Sequence, residues 1–125
     1  MPVRVLIIDD QAVFRQAMRA TVEWLAGFEV CAIAECGEST LEILPTARPD
    51  LVLMDIHTPG LDGFLITRRI RKQAAAVHQP VIILLSTYEA DDYARLAESG
   101  ADAYVPKIEL EPKLMLSIWL TGSRP

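Results

Sequence analysis

Cysteine is scarce in this chain: Cys31 and Cys36 are the only two, both within FEVCAIAEC. If that stretch is a strand, about 3.3 Å per residue sets them roughly 16 Å apart on opposite faces. A disulfide needs α-carbons within about 7 Å, so none is expected. A thiolate metal site is not expected either, because no histidine or further cysteine lies nearby. Unpaired, buried or half-buried thiols remain. Basic residues are also short: 12 Lys and Arg stand against 17 Asp and Glu, a formal net charge of −5. Phosphate neutralisation needs clustered cations, so nucleic-acid binding by this domain is not expected. No apolar run approaches the roughly 20 residues that span a bilayer. The opening MPVRVLIIDD is too short and too soon acidic for a secretory signal. The expectation is a cytoplasmic protein, without membrane contact, whose partners are proteins or small molecules.

What is present fits one domain with one core: 125 residues, 51% hydrophobic and 23% charged, leave no room for a second. The stretch LVLMDIHTPGLDG at 51–63 organises the rest. Its apolar start reads as a buried strand that delivers Asp55 into a segment rich in turn formers, Pro59, Gly60, Asp62 and Gly63. An unpaired buried carboxylate costs several kcal/mol, so Asp55 should sit at a strand end, paired, metal-bound or partly solvated. Asp also caps turns and helices, and this stretch alone leaves both readings open.

Taken in order, Val3 to Ile8 reads as a strand ending at Asp9 and Asp10. Phe14, Met18, Val22 and Leu25 form the apolar stripe of a helix, with Arg15 and Arg19 away from it and Gly27 as its stop. Phe28 to Ala34 is a second strand. Ser39 to Leu44 is a short helix with Ser39 as N-cap, broken or kinked early by Pro45. A third helix, from about Gly63 to Lys72, carries Arg68, Arg69, Arg71 and Lys72 on a face expected to be solvated. Val81 to Leu85 is a strand ending in Ser86 and Thr87, followed by a helix over about Asp91 to Glu98. Ala103 to Pro106 is a fifth strand leading to Lys107, and Pro112 opens a last helix. Trp24 and Trp119 read as anchors of helix ends. Apolar strands alternating with helices indicate a single parallel sheet covered on both faces, an α/β fold.

In such a sheet all C-terminal strand ends meet at one edge. Asp9, Asp10, Asp55, Ser86 and Lys107 lie at such ends. Carboxylates in contact repel by about 4 kcal/mol per pair at an effective dielectric near 20, so something positive must share the site. Lys107 is one answer and a divalent cation another. All-oxygen ligands favour Mg2+ over zinc, and Mg2+ recruits phosphate oxygens. The set suits phosphoryl transfer, with Asp55 as nucleophile, Lys107 and the metal neutralising phosphoryl oxygens, and Ser86 or Thr87 donating a hydrogen bond.

IIDD at 7–10, LVLMDIHTPGLDG at 51–63, VIILLST at 81–87 and GADAYVPK at 100–107 together resemble the receiver domain of bacterial two-component response regulators. This CheY-like resemblance covers essentially the whole chain. It implies a doubly wound five-stranded parallel sheet of order 2-1-3-4-5 with five helices, CheY-like and flavodoxin-like in topology. It implies Asp55 as the residue phosphorylated by a sensor histidine kinase with Mg2+ as cofactor. Asp10 and Asp55 would be direct metal ligands, Asp9 would act mainly through water, and the backbone carbonyl of His57 would complete the set. Lys107 would pair with the phosphoryl group, Ser86 would be the switch hydroxyl, and Tyr104 the aromatic that turns when Ser86 moves. The resemblance places the receiver at 1–121 and a tail or start of a linker at 122–125. LLSTYEADDYARLAESGADAYVPK and IIDDQAVFRQAM resemble the NarL/FixJ subfamily most, whose members usually carry a helix-turn-helix DNA-binding domain, absent here. Control of transcription and a homodimer on activation follow as expectations, and the chemistry is on the protein itself, not enzymatic turnover.

His57 and Thr58 stand where the family often has a hydrophobic pair, and His57 is expected to modulate the water that hydrolyses the acyl phosphate, making its lifetime pH-sensitive. Thr87 stands where a small residue often follows the switch hydroxyl; Ser86 is favoured because it ends the apolar run. Tyr104 has a purely structural alternative, packing on the fourth helix. Rival readings are a haloacid-dehalogenase-like phosphatase, which would need Asp where His57 stands, and a flavin module, which would need a Ser, Thr and Gly loop where Asp9, Asp10 and Gln11 stand. A third is a phosphorylation-independent interaction module.

Overall fold

Residues of alternating parity in each central strand bury on opposite faces, and this divides the interior into two layers. The computed structural model describes residues 1–74, 78–87 and 93–122. Strands β1 (Val3–Ile8), β2 (Phe28–Ala34), β3 (Leu51–Asp55), β4 (Val81–Ser86) and β5 (Ala103–Pro106) form one parallel sheet of order β2-β1-β3-β4-β5. Helices α1 (Ala12–Trp24) and α5 (Pro112–Thr121) pack on one face, where Met18, Val22, Met115 and Ile118 meet Val5, Ile7, Leu53, Ile83 and Val105. Helices α2 (Gly37–Ala47) and α3 (Gly63–Gln73) cover the other, where Leu44, Phe64, Ile66 and Ile70 meet Leu6, Ile8, Met54, Leu84 and Tyr104. Helix α4 (Tyr93–Ser99) precedes β5, and a 3-10 turn (Lys107–Glu109) follows it. The expected topology and the both-face burial of the strands are borne out.

Several local expectations need correction. The second helix is neither capped by Ser39 nor broken at Pro45: it runs Gly37–Ala47 with Cys36 as N-cap. Proline cannot donate to the carbonyl four residues back, that of Leu41. The Gln73 side chain of α3 donates to it instead, at 3.1 Å. The helix then ends at Arg48, in the left-handed region with φ 44°, whose N–H donates to the Leu44 carbonyl. Both cysteines are free and half-buried. Trp24 is 79% exposed and anchors nothing, whereas Trp119 packs edge-on against Phe28 at 6.3 Å between ring centroids. Helix α1 starts at Ala12, ahead of its stripe, and α5 runs through Thr121. The start expected for the fourth helix, at Asp91, lies outside the described residues, as do 123–125 of the expected tail.

Arg71 is not a solvated cation. It donates to the Gly100 carbonyl at 2.9 Å, the Pro80 carbonyl at 2.6 Å and Asp102 Oδ2 at 2.8 Å, and that same oxygen accepts the Ile82 N–H at 2.8 Å. One side chain thus ties α3 to the starts of β4 and β5. At the sheet edges, β5 has only four residues and ends in Pro106, and β2 meets β1 through a register shift at Val5/Leu6.

Asp62 caps α3: its Oδ1 accepts the Leu65 N–H at 2.9 Å and its Oδ2 pairs with Arg95 of α4 at 2.5 Å. Arg95 also lies 4.5 Å from the Phe64 ring centroid. Burial raises the Asp62 pKa, but the Leu65 N–H and Arg95 outweigh it, and the net direction is below the usual carboxylate value. A depressed folded pKa stabilises above the unfolded pKa and loses that stabilisation as pH falls through the folded one. Asp62→Ala is therefore expected to lower stability by about 1 kcal/mol at neutral pH, the worth of an N-cap. The gap from wild type should close in urea unfolding below the carboxylate range of about 4. A gap that persists in acid would assign the effect to packing.

Candidate functional site

Two strands bring their C-terminal ends to one edge with acidic residues: Asp9 and Asp10 directly after β1, and Asp55 at the last position of β3. One carboxylate oxygen from each lies within 4.8 Å of the other two. Asp9 is fully buried and Asp55 is 4% exposed, whereas Asp10 faces solvent. The register that pairs Ile8 with Met54 explains why the acids after β1 and the acid ending β3 arrive at one height.

Each buried acid is held from its own loop. Asp9 Oδ1 accepts the Gln11 N–H at 2.9 Å, and the Asp9 carbonyl accepts from the Arg15 guanidinium at 3.0 Å. Asp55 Oδ1 accepts the His57 N–H at 3.0 Å. Gly63 lets α3 begin directly behind this loop, since a Cβ there would stand 2.7 Å from Ile56 Cα. Thr58 is buried and donates to the Leu61 carbonyl at 2.7 Å, so it braces the loop while His57 stays exposed.

Lys107 enters from the end of β5. Its ammonium lies 2.7 Å from Asp9 Oδ2 and 3.2 Å from Asp55 Oδ2, with its side chain only 5% exposed. The contact to Asp9 is an ion pair without hydrogen-bond alignment, and Asp9 Oδ2 is a buried oxygen with no hydrogen-bond donor among the described residues. One ammonium against three carboxylates leaves a negative excess. An oxygen-only cluster of this kind, with more negative charge than its one ammonium balances, fits a hard divalent cation.

Ser86 is the last residue of β4 and is buried, whereas Thr87 beyond it is exposed. Tyr104, opposite Leu84 in β5, is 8% exposed within the α2/α3-side core. The structure therefore brings together Asp9, Asp10, Asp55 and Lys107, puts Ser86 one register position beyond the Asp55–Leu85 pair, and leaves Thr87 and the His57 side chain outside. Sequence reading missed two residues at this edge. Arg15, read as pointing away, braces Asp9, and Phe14, read only as part of a core stripe, has its ring centroid 3.9 Å from the Lys107 ammonium.

An open parallel sheet of this order, with an acidic cluster and a lysine at its carboxyl edge, defines a flavodoxin-like α/β domain whose site lies beside the topological switch point. Residues 5–118 match the response regulator receiver domain, and the chain belongs to that family. It is 40% identical over 103 residues to the transcriptional regulatory protein CseB of Streptomyces avermitilis, covering 82% of this chain and 42% of that protein. It is 34% identical over 103 residues to the phosphate regulon transcriptional regulatory protein PhoB of Pseudomonas aeruginosa, covering 82% and 44%. The chain spans less than half the length of these curated relatives. Among solved structures, a LuxR-family two-component response regulator from Aurantimonas sp. SI85-9A1 superposes with TM-score 0.84 at 27% identity, covering 99% of this chain and 89% of that one. The receiver domain of the putative response regulator NarL from Mycobacterium tuberculosis, at 23% identity, shares the fold with TM-score 0.83 over 95% of this chain and 97% of that one. No described helix is long and apolar enough to cross a membrane.

Proposed function

We propose that this receiver accepts a phosphoryl group on Asp55 from the phosphohistidine of a sensor histidine kinase, in a Mg2+-dependent reaction, and changes conformation to control an output. The observation that carries this reading is the convergence of the fully buried Asp9 and the nearly buried Asp55 on one ammonium, that of Lys107. An Asp55 oxygen attacks phosphorus; the new O–P bond forms as the N–P bond of the donor breaks, and the electron pair returns to the donor imidazole. When bound, Mg2+ would neutralise charge on the phosphoryl oxygens. Asp10 and Asp55 would ligate it directly, Asp9 mainly through water, with the His57 carbonyl completing the protein's share.

Lys107 takes a phosphoryl oxygen as its second charge partner, and Ser86 donates a hydrogen bond to another. Ser86 and Tyr104 then couple Asp55 to the α4–β5 region, a two-state shift in population. His57 modulates hydrolysis of the acyl phosphate from the mouth of the site. Transcriptional output through a DNA-binding domain and a homodimer of the phosphorylated form complete the proposal, with the receiver ending at about residue 121.

The test is intact-mass spectrometry after incubation with Mg2+ and acetyl phosphate. Wild type should gain one labile phosphoryl group, and chelation should prevent it. Ser86→Ala should slow its formation and Thr87→Ala should not, while His57→Asn should change only its decay. No adduct, with Mg2+ binding shown by calorimetry, would leave a phosphorylation-independent interaction module.

A further inference from the structure

Lys107 has a third neighbour that the phosphoacceptor chemistry does not use. Its ammonium, held at 2.7 Å from Asp9 and 3.2 Å from Asp55, also lies 3.9 Å from the centroid of the Phe14 ring. The negative face of an aromatic ring attracts a cation, and the attraction grows when water is excluded, as it is around a side chain 5% exposed. The ring is itself fixed in place. Helix α1 is registered on Asp9 through the Gln11 N–H and the Arg15 guanidinium, and Phe14 sits between these two on the first turn.

Beside the lysine stem lies a cavity of about 40 Å³, walled by Phe14 and lined also by Ala17, Thr21 and Leu110. A lysine has four rotatable side-chain bonds, so removing the ring widens the space open to it on the side of this cavity. The polar contacts to Asp9 and Asp55 fix how close the ammonium comes, and the ring fixes its direction of approach.

We propose that Phe14 is the positioning residue for Lys107, holding its ammonium between the ring face and the Asp9–Asp55 pair so that it meets the phosphoryl group already in place. The inference rests on the phosphoacceptor reading of Asp55. It carries a signature that a packing role lacks. An ammonium held over Asp9 competes with a divalent cation for the same carboxylates. Weakening the hold should therefore slow phosphoryl transfer while strengthening Mg2+ binding. Simple loosening of the acidic cluster would weaken both.

The experiment compares wild type with Phe14→Leu and with the full chain carrying mono-, di- and pentafluorinated phenylalanine at position 14. Fluorination keeps the ring's shape while draining its face of negative charge. Two quantities are read: Mg2+ affinity by calorimetry, and the rate of adduct formation from acetyl phosphate by intact mass. Phe14→Leu should lower the rate about tenfold, in the range of a desolvated cation–π contact, and tighten Mg2+ binding. The fluorinated series should fall in rate, and rise in Mg2+ affinity, in order of fluorine number. Fluorinated proteins indistinguishable from wild type, or rate and affinity falling together, would overturn the proposal. If Phe14→Leu does not fold, the fluorinated series decides alone. If wild type itself forms no adduct, the phosphoacceptor reading fails and the Mg2+ series still decides the positioning.

Discussion

Asp55→Asn is expected to abolish the phosphoryl adduct completely and, measured in chelator, to raise the unfolding temperature. The loss follows because an amide is no nucleophile towards phosphorus, and the other carboxylate beside Lys107, Asp9, is fully buried. The gain follows from charge. Asp55 faces two carboxylates within 4.8 Å and one ammonium at 3.2 Å. At an effective dielectric near 20 a carboxylate at 4.8 Å repels by about 3.5 kcal/mol and an ammonium at 3.2 Å attracts by about 5 kcal/mol, so two repulsions against one attraction leave about 2 kcal/mol of strain to relieve. The amide oxygen keeps the His57 N–H satisfied, while its NH2 takes the place of Oδ2, which accepts from the Lys107 ammonium, so one hydrogen bond is given up against the relieved repulsion. Thermal unfolding in chelator, beside intact mass with Mg2+ and acetyl phosphate, checks both halves. A surviving adduct would move the acceptor elsewhere, and a lowered unfolding temperature would show that Lys107 outweighs both neighbouring acids.

Lys107→Ala has the opposite sign. It removes the cation from a pair whose other member, Asp9, is fully buried. Leaving one member of a buried pair uncompensated costs about 3 kcal/mol or more, which for a chain of this size lowers the unfolding temperature by roughly 10 °C. The deficit is expected in chelator and should largely vanish in millimolar Mg2+, because ligation supplies the missing positive charge and binding adds stability by mass action. Mg2+ affinity should rise at the same time, since no ammonium contests Asp9, while adduct formation slows for lack of a charge partner on the phosphoryl oxygens. Calorimetry and thermal unfolding with and without Mg2+ measure this. A variant as stable as wild type in chelator would mean that the site tolerates the buried Asp9 without its cation, and Mg2+ would then restore nothing.

The acidic edge was legible because it depends on where apolar runs stop. Leu51–Met54 and Val5–Ile8 are long enough to be fully buried strands, and parallel pairing leaves their terminal residues no other place to go. Ser86 over Thr87 was legible for the same reason: one residue beyond a buried run reverses the exposure. What failed were features set by a second element. Pro45 ends no helix because Gln73, from α3, serves the Leu41 carbonyl that proline abandons. Arg71 looks like one of four surface cations until the carbonyls of Pro80 and Gly100 arrive beside it. Phe14 has helical spacing and reads as core, and only the return of β5 puts an ammonium on its face. Periodicity reports which way a side chain points along its own helix. It is silent on what is waiting there.

The two edges of the sheet also bear on whether copies of this chain stack through their backbones. An exposed edge of unpaired amides and carbonyls is a template for another strand. At one end of the sheet β5 offers only four residues, and its last, Pro106, has no amide hydrogen to give. At the other end β2 is longer, but it carries Glu29 and runs into Glu35, and its register with β1 shifts at Val5/Leu6. An incoming strand would find too few donors at one border, and acidic side chains beside a broken register at the other. A domain whose interior strands are nearly all apolar is thus kept from growing into a ribbon by the poverty of its borders.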